Sequence, residues 1–259
     1  MNYIITGGAG FIGSHLVDSL IMQGHNVTCI DDLSTGLEAN LKKSKNLVFL
    51  NKKIQEISIN DLDQHYHGIF HLAAQASVPI SLNNFYESSS NNLQSSFKVW
   101  SLANEFKIPV VYASSSAVYG NLPIGDDEVN KYDIQSPYAQ DKLSLEDYAK
   151  MCWKVYKTPS LGLRFFNVYG PRQDPKNPYS GVISIFIEKL LHNNPVTLNG
   201  GYQTRDFIFV EDIVQVIVES MNYIIKNKLF EVLNVGTGIT ITISDLLQMI
   251  ANILSLEPK

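Results

Sequence analysis

Cysteine is nearly absent. Cys29 and Cys152 are the two in 259 residues, and both stand among apolar neighbours. Buried free thiols are expected and a disulfide framework is excluded, so a reducing, cytoplasmic setting follows. An excess of basic residues is also missing. The net charge is -5 with 20 Lys+Arg against 25 Asp+Glu, which leaves no electrostatic footprint for nucleic acid. No run of about 20 apolar residues exists to span a bilayer. The first residues carry no basic n-region or cleavage signal, so no signal peptide is expected. Internal repeats and low-complexity tracts are missing, and no metal site is expected. Hydrophobic residues make up 45% and charged residues 17% of the chain. That is enough to bury one large core, or a core with an attached lobe.

Glycine is placed with more purpose. Asn2–Thr6 reads as a short buried strand, and Phe11–Leu16 opens a helix. Between and within them lie Gly7, Gly10 and Gly13. A strand–loop–helix with glycines at these points allows a tight turn, close approach of backbone to a pyrophosphate, and packing of helix on strand. The helix N-terminus favours the negative charge. The next strand, Asn26–Ile30, ends at Asp31-Asp32. An acid there can accept hydrogen bonds from the adenosine ribose and would repel a 2′-phosphate, which selects NAD over NADP. Capping of the following turn is the plainer reading of Asp31.

Further strands are expected at 46–50, 68–74, 109–113 and 161–167; 205–212 reads as a strand ending at a helix cap, and 233–238 as a strand and turn. Helices are expected at 92–106, 138–156, 182–192, 213–225 and 244–254, and 196–198 is a short segment. Ser88–Asn92 reads as a polar loop. Alternating strands and helices imply an α/β protein with a parallel, doubly wound sheet. Composition turns rich in proline, glycine and asparagine after Asn167, so the domains are set at 1–167 and 168–259, the second a smaller lobe interleaved with the first.

Two stretches carry chemistry. The serine run 114–116 follows the strand at 109–113, where ligands of such sheets gather, although serines also favour plain strand-to-loop junctions. Tyr138 and Lys142 lie four apart on a helix beginning at Pro137, so both side chains can reach one space. A nearby cation favours phenolate, which would make Tyr138 a general base. Alone, such a pair is more often a packed ring beside a solvated charge.

Seven motifs then occur in order: TGGAGFIGSHL at 6–16, HLAAQ at 71–75, SSSAVYG at 114–120, YAQDK at 138–142, RFFNVYGPR at 164–172, TRDFIFVEDI at 204–213 and NVGTG at 234–238. Together they resemble the extended short-chain dehydrogenase/reductases of the NAD-dependent epimerase/dehydratase family, and above all its UDP-sugar 4-epimerases. The resemblance spans the chain. It implies a Rossmann-type domain with a C-terminal substrate lobe. The implied activity is 4-epimerisation of a UDP-hexose, plain or N-acetylated, through a transient 4-keto sugar. A nucleotide-sugar dehydratase or decarboxylase, or a non-catalytic NAD-binding protein, are the alternatives.

The resemblance also implies roles. Ser115, Tyr138 and Lys142 would be catalytic. Gly7, Gly10, Phe11, Ile12, Gly13, Asp31, Asp32, Ile54, Leu72, Ala73, Ala74, Asn92, Ser114 and Phe165, with Tyr138 and Lys142, would hold NAD. Ser77, Ser115, Ser116, Asn167, Val182, Thr197, Leu198 and Arg205 would bind the sugar nucleotide. Dehydratases and decarboxylases of this kind place acids after the catalytic hydroxyl. Ser116 and Ala117 stand there instead, which favours epimerisation. Lys53 stands where the family has an acid for the adenine amine, and a lysine cannot accept that bond. The family continues past the position of Lys259 with part of the sugar pocket. A homodimer is expected through the helices at 92–106 and 140–156, on Phe97, Trp100, Leu145, Tyr148 and Cys152. Ordinary core is the competing reading of those five residues.

Overall fold

A computed structural model describes residues 1–258 except 64, 123–125, 128–130, 175–180 and 199. Part of the proline- and glycine-rich stretch after Asn167 lies outside the described residues. The chain forms two compact units. The first is Met1–Phe165 with Val214–Val235, and the second is Phe166–Ile213 with Gly236–Lys259. No described helix is long and apolar enough to cross a membrane.

The first unit is built on seven strands: β1 Asn2–Thr6, β2 Asn26–Asp31, β3 Leu47–Asn51, β4 Gly68–His71, β5 Val110–Ser115, β6 Ser160–Phe165 and β9 Phe230–Val235. They lie in the order β3-β2-β1-β4-β5-β6-β9, and every pairing is parallel. Strand order reverses between β1 and β4. That makes the crevice beyond their carboxyl ends the expected ligand position. Strands β1, β4 and β6 are buried almost throughout, as the near-continuous apolar runs of a sheet covered on both faces require. This is the doubly wound α/β architecture expected from the alternation of elements.

Helix α1, Phe11–Met22, packs on the sheet through Leu16, Val17 and Leu20. Helix α2 spans Val78–Asn83, α3 Phe85–Phe106 and α4 Pro137–Tyr156. One core joins β1, β2, β4 and β5 to α3 and α4 through Ile4, Ile30, Ile69, Val110, Val99, Trp100, Leu145, Ala149 and Cys152. Both cysteines are buried and free. Burial, then the charge of Asp31, pushes the Cys29 thiol up to about 12, which leaves it inert.

Two local expectations are corrected. Ser88–Asn92 is not a loop but the second turn of α3, and Ser88, Ser89 and Asn92 are buried. Serine has modest helix propensity, but small side chains let a helix approach its neighbours closely, and tertiary packing overrides the preference. The fourth strand ends at His71, so 72–74 is loop. Of the five residues expected on a dimer face, Trp100, Leu145 and Cys152 are core. Phe97 and Tyr148 remain exposed, with their rings 4.7 Å apart.

The second unit holds a three-stranded sheet in the order β10-β8-β7: β7 Asn167–Tyr169, β8 Thr204–Phe209 and β10 Thr240–Thr242. Helices α5, Val182–Leu191, and α7, Ile243–Leu254, close a small core around Phe186, Leu190, Leu246, Leu247 and Ile250. Helix α6, Val210–Asn227, carries the chain back to the first unit at Val214. In β8, Asp206 is buried and ties down the 237–238 turn. Its oxygens accept from Thr237 N at 2.9 Å, Thr237 Oγ1 at 2.7 Å and Gly238 N at 2.7 Å.

Candidate active site

The loop after β1 shapes a cleft of about 280 Å³ in the first unit. Gly7, Gly10, Phe11, Ile12, Gly13, Asp31, Asp32, Ile54, Leu72, Ala73 and Ala74 line it, so eleven residues expected at the dinucleotide come together. Its walls tolerate no side chain at two points. Gly7 has φ +74, and a Cβ there would stand 2.7 Å from Ala73 N. A Cβ on Gly13 would stand 2.0 Å from Gly7 O. Gly10 is the N-cap of α1, offers no side chain to the first N–H groups, and no acid occupies the first turn. The helix N-terminus is therefore left to an outside anion.

Asp31 lines the cleft at the end of β2 and is buried. Its Oδ2 accepts from Ala9 N at 2.9 Å and its Oδ1 from Leu33 N at 2.9 Å. Burial pushes this carboxyl up, and the two backbone bonds pull it back. Each oxygen keeps a further lone pair for a ribose hydroxyl. Turn-capping and ribose binding are thus compatible in one side chain. Lys53 also lines the cleft beside buried Ile54. The glycine cradle, the uncapped helix end and the acid at the end of β2 fit a dinucleotide.

Asn92, Ser114, Tyr138, Lys142 and Phe165 do not line that cleft. Four of them belong to the buried layer between β5, α3 and α4. Helix α4 starts cleanly: Ser136 Oγ accepts from Ala139 N at 3.2 Å, and Pro137 has no N–H to satisfy. Across from α2, Ser81 Oγ accepts the Tyr138 N–H at 3.2 Å. The first turn is thereby held, and with it the Tyr138 ring. One turn on, Lys142 Nζ donates to Ala113 O at 2.7 Å and lies 5.8 Å from the centre of the Tyr138 ring. The helical spacing does bring the two side chains together.

Their electrostatics differ from the sequence expectation. Burial pushes the Tyr138 phenol up, a hydrogen bond with Ser115 pulls it down, and the Asp141 charge pushes it up. Lys142 is not among the groups that move the phenol, because the desolvated ammonium loses its proton at a lower pH than the raised phenol does. Burial pulls Lys142 down to about 8, against the upward pull of Asp141 and Glu146. Ser115 Oγ accepts from Ala117 N at 3.1 Å.

Sequence reasoning missed a polar network behind this pair. Arg164 is 2% exposed and meets Glu146 twice, Nε to Oε1 at 2.9 Å and Nη2 to Oε2 at 2.7 Å. Ser114 Oγ donates to Glu146 Oε1 at 2.5 Å, and Arg164 Nη1 donates to Tyr119 OH at 2.7 Å. A second line runs from Ala73 N to Thr6 Oγ1 (3.3 Å), His71 Nδ1 (2.7 Å from Thr6), Ser96 Oγ (3.2 Å from His71 Nε2) and Asn92 O (2.8 Å). Ser96 donates to the Asn92 carbonyl, so it accepts from His71. His71 therefore carries its proton on Nε2 and accepts from Thr6 at Nδ1. Burial, then Lys142, pulls His71 down to about 3, so the ring is neutral. The signal was available for one of these: Glu146 lies four residues after Lys142, one turn further along the same helix.

The substrate residues expected in the second unit are spread along its elements. Asn167 Nδ2 donates to Asp206 O at 3.1 Å. Val182 opens α5, while Thr197 and Leu198 lie in the loop after it. Arg205 is exposed on β8, with Nη1 donating to Thr204 O at 2.7 Å. It lines a cavity of about 770 Å³ with Tyr169, Arg172, Ile187, Phe207 and Met249; Asn167, Val182, Thr197 and Leu198 do not. In the first unit, Ser77 caps α2 and Ser116 follows β5.

Comparison with known proteins places this geometry. The model of the NAD dependent epimerase/dehydratase family matches residues 3–236. The putative UDP-glucose 4-epimerase of Methanocaldococcus jannaschii is 37% identical over 258 residues, covering 95% of this chain and 80% of that protein. A UDP-N-acetyl-alpha-D-glucosaminuronate decarboxylase of Bacillus cytotoxicus is 33% identical over 249 residues, covering 90% of this chain and 74% of that protein. Among solved structures, the UDP-N-acetylglucosamine 4-epimerase of Methanobrevibacter ruminantium, in complex with UDP-N-acetylmuramic acid, superposes with a TM-score of 0.91 at 37% identity, covering 98% of this chain and 82% of that one. The NAD complex of the Thermus thermophilus UDP-glucose 4-epimerase gives 0.86 at 29% identity, covering 100% and 85%.

Proposed function

The chain belongs to the NAD-dependent epimerase/dehydratase family, and from that premise we propose that it inverts C4 of a UDP-hexose, plain or N-acetylated. In this reading the first unit holds NAD and the second the sugar nucleotide. NAD held there would supply the hydride acceptor and donor for C4.

The protein's own groups do the rest. Tyr138 takes the proton of the 4-hydroxyl and later gives one back. Ser115, in hydrogen-bonding contact with the phenol, orients the 4-oxygen and passes the proton. Lys142, anchored on Ala113 O, holds the nicotinamide ribose and contributes positive charge. That charge and the oxidised nicotinamide together oppose the burial that keeps the phenol protonated. Gly7, Gly10 and Gly13 admit the pyrophosphate, and Asp31 takes the adenosine ribose. Asn167 and Arg205 serve the substrate diphosphate.

The observation that carries the reading is the Ser115–Tyr138–Lys142 cluster, with Tyr138 and Lys142 buried and Ser115 half-buried, in the same unit as the glycine-lined cleft. Epimerisation is preferred to elimination or decarboxylation because Ser116 and Ala117 bring no carboxyl group beside Ser115. Two buried free thiols support a cytoplasmic setting. A homodimer also belongs to this reading, now resting on exposed Phe97, Tyr148, Met151 and Val155; a monomer mass in gel filtration at micromolar concentration would refute it.

Denatured protein should release NAD, detected by absorbance. Native protein should interconvert UDP-glucose and UDP-galactose, or their N-acetyl forms. Tyr138→Phe should lose on the order of 10²–10⁴-fold in kcat while keeping its NAD. Failure of the wild type on all four sugars would overturn the proposal.

A further inference from the structure

Asp141 is 5% exposed, and its carboxylate faces inward from α4. Oδ2 accepts from Asn92 Nδ2 at 2.9 Å. Asn92 is itself committed: Oδ1 accepts from Gln75 N at 2.8 Å and Nδ2 also reaches Gln75 O at 3.2 Å. Among the described residues no ion pair joins Asp141 to a cation. A buried carboxylate met by one neutral amide is costly unless a charge compensates it. The compensating charge available is the Lys142 ammonium, on which Asp141 acts directly.

Of the other groups around the pair, Glu146 also favours the Lys142 ammonium. On α4, Glu146 is engaged by Arg164 of β6 in two hydrogen bonds. From β4, His71 is neutral. From β5 come the Ser115 hydroxyl, the Ala113 carbonyl and Tyr112, whose phenol burial keeps protonated. Helix α3 contributes the uncharged Asn92 and Ser96.

We propose that Asp141 is a positioning residue for the catalytic pair: its buried carboxylate fixes Asn92 across from α4 and sets a negative charge next to Lys142 in the chain. The inference rests on the roles given above to Tyr138 and Lys142. Asp141 acts on both. Its charge favours the protonated form of Lys142 and equally that of Tyr138. Removing the charge therefore makes both groups lose their protons at lower pH.

Asp141→Asn tests this, since an amide oxygen still accepts from Asn92 while the charge is gone. The alkaline limb of the kcat–pH profile should move down by about one pH unit. Independently of turnover, the ultraviolet absorbance of tyrosinate should show Tyr138 ionising at lower pH than in the wild type, read as the difference from the matching Tyr138→Phe protein. Asp141→Ser, smaller and also neutral, should move both in the same direction, and Asp141→Glu should restore them. Lower activity with both readouts unmoved would overturn the proposal and leave Asp141 a packing residue. A moved phenol titration in a protein that turns over no UDP-sugar would uphold the electrostatic role of Asp141 and sink the proposed reaction.

Discussion

Acid should weaken this protein through His71 in a calculable way. The ring sits wholly inside, between Thr6 and Ser96, and burial pulls it down to about 3. In the unfolded chain an unperturbed histidine titrates near ~6.5. The folded state thus binds the proton less readily than the unfolded one. Stability is complete above the unfolded pKa, falls as pH drops through it, and stops falling for this reason only near the folded value. Between about pH 8 and about pH 5 the single group costs about 2 kcal/mol. Urea unfolding of the wild type and of His71→Gln at both pH values isolates it, because the other titrating groups are common to the two proteins. Glutamine keeps one donor and one acceptor for Ser96 and Thr6. The wild type should lose about 2 kcal/mol more than the variant on acidification. Equal losses, or a His71 ring resonance that titrates in the ordinary histidine range, would refute the neutral tautomer and the line of bonds built on it.

Two further outcomes follow from the geometry. Gly13→Ala would push a methyl to 2.0 Å from Gly7 O, against backbone that cannot yield. The protein should then purify without NAD and bind added NAD at least tenfold more weakly in calorimetry, while a retained cofactor would mean the cleft is not its site. Glu146→Gln leaves Arg164 charged and buried without its partner, and should cost roughly 3–5 kcal/mol in thermal or denaturant unfolding. A change below about 1 kcal/mol would place that pair among the weak surface bridges.

Much of the fold was legible from the chain. Alternating apolar strands and helical periodicity fixed a parallel sheet, and Pro137 and the glycines of the first loop marked element boundaries. The misreadings have local causes. Ser88–Asn92 looks like a loop because serine and asparagine favour turns when nothing packs on them. In the folded chain they lie against α4 and the sheet, and the hydroxyls of Ser95 and Ser96 one turn on bond back to Asn92 within α3. Trp100, Leu145 and Cys152 look like an interface because an apolar helical stripe does not say what covers it.

The sequence by itself determined that Tyr138 and Lys142 share a helix face and that glycine occupies the points where the first loop meets backbone, because those facts follow from spacing and from the absence of a side chain. Their charges depend on packing that spacing does not reveal. Whether a phenol is protonated, an ammonium held near pH 8, a histidine neutral or a carboxylate left facing a single amide depends on desolvation and on partners brought from β4, β5, β6 and α3. Those partners lie tens of residues away in the chain, and desolvation has no signature in local spacing.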